Sequence, residues 1–270
     1  MSLRLALIQM DVQWHDRPAN HAKARRLALQ AKEAGAEVAV LPEMFATGFS
    51  METSVTGEPL TGETPAFLRS LASELDMAMV GGFALQDSRD DAPRNVALAV
   101  DSRGQDLALY AKIHRIALLE ENLHYLPGAL PVPFDLNEIP SACFICYDLR
   151  FPELFRCVAD ACSLVLVIAS WPAPRQAHWD LLLRARAVEN QCYVAGINRV
   201  GHGGGHVFTG GSVILDPLGE CMAYAGDREA VITATIESER VREVRESFPF
   251  LKDRQSRLFA LAGGLHEPSA

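Results

Sequence analysis

Short apolar runs alternate with helix-patterned segments from the first residues onward, and that alternation confines the chain to a layered α/β protein. Residues 3–11 (LRLALIQMD) read as a buried strand, and residues 19–34 place apolar groups at helical spacing up to Gly35, a suitable C-cap. Residues 37–42 (EVAVLP) read as the next strand, 64–75 as a helix opened by Thr64 and Pro65, and 77–83 as a further strand. The alternating stretches 95–101 and 106–112 flank Ser102-Arg103-Gly104-Gln105 and predict a β-hairpin, so the sheet is not wholly parallel. Strands at 141–146, 163–169 and 192–198 then alternate with helices at 152–162 and 175–190. Two more strands, 211–216 and 229–236, surround the turn Asp216-Pro217-Leu218-Gly219. Mixed sheets covered by helices follow from this order.

No stretch is rich enough in Gly, Ser or Pro to act as an interdomain linker, and no internal repeat is visible, so residues 1–270 are read as a single domain. From about residue 245 (RESFPFLKDRQSRLFALAGG) aromatic and charged residues mix without clear periodicity, as in a tail that could wrap a neighbouring subunit. A formal charge of -9 would repel a phosphate backbone, and nucleic acid is not an expected partner. Apolar runs such as 163–169 fall well short of a membrane span, and MSLRLALIQM lacks a cleavable signal pattern, so a cytoplasmic location is expected. The six cysteines lie mostly inside apolar stretches rather than at turns, which argues against a disulfide framework and leaves a thiol free to act as a nucleophile.

Cys146 is the cysteine best placed for that role. In 143–153 (CFICYDLRFPE) an apolar strand stops at Cys146 and turns into a helix opened by Pro152. Such turns aim backbone N–H groups and a helix N-terminus at an adjacent anion, which can stabilise a thiolate. Buried apolar packing suits Cys157, Cys162, Cys192 and Cys221 better. Cys143 and Cys146 also spell C-x-x-C, but residues three apart on a strand point to opposite faces, and the pair does not open a helix as redox pairs do. Zinc would need further ligands, for which only His202 and His206 are candidates. Glu43 ends the apolar run EVAVLPE and Lys112 ends DLALYAK. Alone, each could be a solvated strand end; together with Cys146 they form a set of reactive groups at strand ends, where ligand sites of α/β sheets gather.

The chain resembles the nitrilase, or carbon-nitrogen hydrolase, superfamily. The matching stretches are LPEMF around Glu43, YAKIH around Lys112, CYDLRFPE around Cys146, SWP at 170–172, RARAVENQCYVAGINRVG at 184–201 and GGSVILDPLGE at 210–220. Within it, PEMFATGFSM at 42–51 and FPFLKD at 248–253 are similar to the omega-amidase, or 2-oxoglutaramate amidase, branch. The resemblance implies a four-layer αββα sandwich that commonly dimerises and uses neither metal nor organic cofactor. It implies that Cys146 attacks an amide carbon, that Glu43 moves the proton, and that Lys112 with the Tyr147 N–H stabilises the oxyanion. A second glutamate is expected in LEENLHYLPG, and counting back from Gly128 favours Glu121 over Glu120. Arg150 stands where related carbamoylases hold a substrate carboxylate, although an ion pair with Glu153 or Glu189 would serve it equally well. Trp171 and Phe45 could line the pocket or pack the core. His114, His124 and His178 lie in no motif that demands a Cys-His dyad, and Gly203-Gly204-Gly205 reads as a flexible loop rather than a phosphate site.

The leading expectation is release of ammonia from the terminal amide of a 2-oxo dicarboxylic acid monoamide such as 2-oxoglutaramate. The alternatives are an amidase, carbamoylase or nitrilase acting on another small substrate, a scaffold without turnover, and a redox or zinc protein built on Cys143 and Cys146.

Overall fold

The computed structural model describes residues 1–255. Two sheets stack face to face. In the seven-stranded sheet the spatial order is Ala230–Glu237, Ser2–Gln9, Val38–Val40, Ala78–Leu85, Arg94–Val100 and Asp106–Ala111, with Gly57–Glu58 also pairing to Ala78–Leu85. The six-stranded sheet runs Cys221–Tyr224, Val213–Leu215, Tyr193–Asn198, Leu164–Ala169, Ile139–Ile145 and Phe134–Leu136. Parallel pairs carry the middle of each sheet and antiparallel pairs its flanks.

Strand period explains why the runs are apolar throughout. On Ser2–Gln9, Leu3, Leu5 and Leu7 enter the cluster between the sheets, while Ala6 and Ile8 enter the one beneath helices Arg17–Glu33 and Glu63–Leu75. Helix Gln176–Asn190 covers the second sheet with Trp179, Leu183 and Ala187, and Pro152–Val158 lies beside it with Phe155 and Val158. The layers are therefore αββα, as the resemblance implied. Asp16 caps the first helix by accepting from the Ala19 N–H at 3.0 Å.

Three segments differ from the sequence expectations. The glycine-rich loop is a hairpin, Val200–Gly203 with His206–Thr209, because Gly204 (φ 56°) and Gly205 (φ 77°) supply the two left-handed positions of a tight turn. After Asp216-Pro217-Leu218-Gly219 the chain enters a short exposed edge strand, Cys221–Tyr224, whose lack of a buried face hid its period. Residues 238–247 form a helix that buries only Val241 and Val244. Its Arg245 donates to the carbonyls of Ala159, Cys162 and Gln191, and Arg254 pairs with Asp160, so this part of the stretch from 245 packs on its own chain. Residues 256–264 of that stretch lie outside the described residues.

Gly82 lets the two central segments of the site approach. A Cβ there would lie 2.7 Å from the Met44 nitrogen and 2.8 Å from the Glu43 Cα. Because both contacts are backbone, Gly82→Ala is expected to destabilise the protein by about 1–3 kcal/mol in denaturant unfolding. An unchanged midpoint and slope would show that the strand yields more easily than this packing allows.

Candidate active site

Glu43, Lys112, Glu121 and Cys146 come from four separate elements and meet at one end of the sandwich. Glu43 follows strand Val38–Val40, Lys112 follows Asp106–Ala111, and Glu121 opens the short helix Glu121–His124. Cys146 begins a 3-10 turn, Cys146–Arg150, immediately after Ile139–Ile145. Its φ of 47° is left-handed, an arrangement that costs a non-glycine residue about 1–3 kcal/mol and that lifts the side chain off the strand. The first N–H groups of such a turn have no acceptor within it, and Tyr147 N–H is among them.

Lys112 is buried, and its Nζ lies 3.0 Å from Glu43 Oε1 and 2.9 Å from Glu121 Oε1. Asn95 Nδ2 donates to the same two oxygens, at 2.7 and 3.1 Å. The remaining oxygens accept backbone N–H groups at 2.8 Å, Glu43 Oε2 from Ser170 and Glu121 Oε2 from Ile116. Glu120, by contrast, is exposed and holds a left-handed backbone at φ 60°. Sequence reasoning missed Asn95; the available signal was a polar side chain entering the otherwise apolar strand Arg94–Val100.

Burial alone would lower the Lys112 ammonium, but Glu121 and Glu43 outweigh it and hold the group well above the usual lysine range. Cys146 opens onto a cavity, yet its sulfur lies deep among protein atoms. Burial first, then the Glu43 carboxylate, pushes its thiol well above the usual range, against the pull of Lys112. This corrects the expectation of a thiolate stabilised by the turn: two carboxylates beside one ammonium leave no surplus positive charge to hold a second anion. The Cys146 thiol instead points toward the Ser170 carbonyl at 3.8 Å.

Asp148 clamps the Cys146 turn to the lysine segment. Its buried carboxylate accepts from Tyr110 Oη (2.8 Å), His114 N (2.9 Å) and Ile145 N (3.3 Å), and His114 Nδ1 lies 3.0 Å away. Tyr110 and His114 bracket Lys112, so the clamp fixes the separation of Lys112 from Cys146. His114 thus serves Asp148, His178 Nδ1 lies 3.3 Å from Arg150 Nη2, and His124 ends its short helix. Among the described residues no histidine bonds Cys146. Cys143 is buried between the sheets and His202 and His206 sit on the hairpin, so the C-x-x-C pair and those histidines do not assemble. No group of three His, Cys, Asp or Glu side chains among the described residues could hold a metal ion.

The cavity over Cys146 measures about 20 Å³, little more than one water position, and Phe49, Leu119, Tyr147, Arg150, Trp171 and Arg175 are among its walls. Trp171 is both packed and cavity-lining, whereas Phe45 belongs to the core. Arg150 pairs with neither Glu153 nor Glu189. Its guanidinium lies over the Trp171 ring at 4.7 Å and the Tyr147 ring at 5.9 Å, and Glu189 pairs with Arg186. Phe49, missed in the sequence, also lies 4.9 Å from Lys112 Nζ. A larger cavity of about 250 Å³ adjoins at Phe49 and Leu119 and reaches Trp14 and His206. Another cavity, about 580 Å³, lies along Leu107–Ala111 and contains none of the four converging residues.

The chain is similar to known proteins over nearly its whole length. An omega-amidase, YafV, from Escherichia coli (strain K12) is 36% identical over 93% of this chain and 96% of its own. A 2-oxoglutaramate amidase from Bacillus subtilis (strain 168) is 31% identical over 96% of this chain and all of its own. The crystal structure of XC1258 from Xanthomonas campestris, a CN-hydrolase superfamily protein with an arsenic adduct in the active site, superposes with a TM-score of 0.88 at 33% identity, covering 94% of this chain and 98% of that one. The family model for carbon-nitrogen hydrolase matches residues 4–246, and the chain belongs to that family.

Proposed function

We propose that the chain hydrolyses the terminal amide of a short 2-oxo dicarboxylic acid monoamide, 2-oxoglutaramate first, through a thioester on Cys146. The observation that carries this reading is the buried cluster of Lys112 with Glu43 and Glu121 beside a cysteine that opens onto an arginine-walled cavity. The names of the two relatives support the substrate.

Cys146 Sγ bonds to the amide carbon while its proton passes to Glu43, and the carbonyl oxygen takes up the electron pair as an oxyanion. Lys112 and the Tyr147 N–H stabilise that oxyanion, each donor being worth about 3 to 4 kcal/mol in a dry site. Collapse breaks the carbon–nitrogen bond, and Glu43 returns the proton to the departing ammonia. Glu43 then draws a proton from water, whose oxygen attacks the thioester and frees the carboxylic acid and the thiol. Glu121 and Asn95 fix Lys112 and Glu43, and Arg150 takes the far carboxylate of the substrate. The reading places this chemistry in a reducing, cytoplasmic setting, supported by six free thiols, two of them exposed. It extends to a homodimer, supported by the exposed apolar side chains of Leu181, Val188, Met222 and Tyr224.

An ammonia-release assay across 2-oxoglutaramate, 2-oxosuccinamate, glutamine, asparagine and a simple nitrile, with Cys146→Ala as blank, should rank 2-oxoglutaramate first. Arg150→Lys should raise its KM about tenfold. A neutral substrate in first place would overturn the assignment. Glu121→Gln is expected to lower kcat by on the order of 100-fold and Glu120→Gln by less than about twofold; equal losses would remove Glu121 from the site. Because burial and Glu43 raise the thiol, the ultraviolet thiolate absorbance of Cys146, obtained by difference from Cys146→Ser, should emerge only above the ordinary thiol range. A thiolate already present at neutral pH would contradict the coupled proton transfer to Glu43.

A further inference from the structure

Two arginines, Arg150 and Arg175, stand at the cavity above Cys146, and only Arg150 has been given a role. Arg150 and Arg175 both line it, and no acidic side chain is among its walls. In a chain of net charge -9 this is a local reversal of sign. Most other arginines of the described residues are engaged by carboxylates or backbone carbonyls, as Arg186 is by Glu189 and Leu149. The Arg175 guanidinium makes no hydrogen bond or ion pair among the described residues, and that of Arg150 meets only the His178 ring nitrogen and the aromatic faces of Trp171 and Tyr147.

Trp171 fixes both arginines. Its ring lies 4.7 Å beneath the Arg150 guanidinium, while its Nε1–H donates to the Arg175 carbonyl at 2.8 Å and anchors the 3-10 turn Ala173–Arg175. The backbone of Arg175 is therefore held at the cavity rim while its side chain is left unpaired. A guanidinium spared from internal partners and placed beside a second one is suited to an anion with several acceptor oxygens.

We propose that Arg175 is a specificity-determining residue that works with Arg150 to hold the carboxylate of the substrate, so that the enzyme selects amides with an anionic far end. This rests on the reading of the chain as an amidase of 2-oxo dicarboxylic acid monoamides. Two charged donors, rather than one, then set the preference, and removing either leaves a carboxylate only half satisfied.

The decisive quantity is the ratio of kcat/KM for 2-oxoglutaramate to that for butyramide, a neutral amide without the carboxylate. In Arg175→Gln this ratio should fall about 10- to 100-fold, as expected for a hydrogen bond to a charged group, with the loss carried by KM. Binding of 2-oxoglutarate, the product, to Cys146→Ala by calorimetry should weaken by a similar factor when Arg175→Gln is added. An unchanged ratio, or equal losses on both amides, would overturn the assignment of Arg175. Should Arg175→Gln fail to fold, Arg175→Lys serves: a partial fall in the ratio is expected, and no fall overturns the assignment. If the unmodified enzyme itself shows no preference for 2-oxoglutaramate over butyramide, it is the underlying substrate reading that fails.

Discussion

One ammonium shared between two buried carboxylates is the interaction around which the rest of the site is arranged. Charges removed from water are tolerated only where partners and hydrogen bonds replace the lost hydration, and removing one partner of such a cluster costs about 3–5 kcal/mol. All four oxygens of Glu43 and Glu121 receive donors, from Lys112, Asn95, Ser170 N and Ile116 N. These donors come from both sheets and from the segment that follows the hairpin. The sandwich thus positions the cluster, and the cluster in turn pins the ends of strands that would otherwise be free to splay. Ser170 illustrates the exchange: it leaves the strand Leu164–Ala169 of one sheet and donates to a carboxylate held by the other.

The same charge balance acts on the Cys146 thiol. With two carboxylates and one ammonium already in place, a thiolate would add a further negative charge to a region of low dielectric. The thiol form is favoured, and in the proposed mechanism the substrate carbonyl provides the site for negative charge near Lys112. Reactivity then depends on placement more than on a preformed anion. The left-handed backbone at Cys146 and the Asp148 clamp supply that placement, since they hold the turn against the lysine segment before any substrate arrives.

What could be read from the sequence was whatever leaves a local pattern. Strands buried on both faces, such as Ser2–Gln9 and Leu164–Ala169, announce themselves as unbroken apolar runs, and Glu43, Lys112 and Cys146 each stand where such a run stops. Glu121 could be distinguished from Glu120 by its spacing from Gly128 within a resembling stretch. Asn95, Asp148 and Phe49 acquire their meaning only from residues that lie far away in the chain, and a single polar or aromatic side chain carries no period. The hairpin at 200–209 and the edge strand at 221–224 were hidden for another reason: neither has the alternating buried face that strand patterning detects. Thiol ionisation was misjudged because the turn was weighed without the carboxylates that converge on it.

A division of labour follows from which elements do what. The proposed proton transfer and charge stabilisation rest on buried groups held by both sheets, where a change in one side chain is felt by several partners. Part of the cavity wall comes instead from three short 3-10 turns, Ala117–Leu119, Cys146–Arg150 and Ala173–Arg175, which contribute Leu119, Tyr147, Arg150 and Arg175. Such turns are brief and make few internal hydrogen bonds, so those of their side chains that point outward can be exchanged at little cost to packing. The cavity of about 20 Å³ is narrow, and the arginines are its walls with the longest side chains. In the proposed reading, substrate entry exchanges the contacts of Arg150 with the Trp171 and Tyr147 rings for contacts with substrate oxygens. On that reading the exchange favours a ligand with an anionic end, and the pocket would then select one class of amide while the chemistry beneath it stays the same.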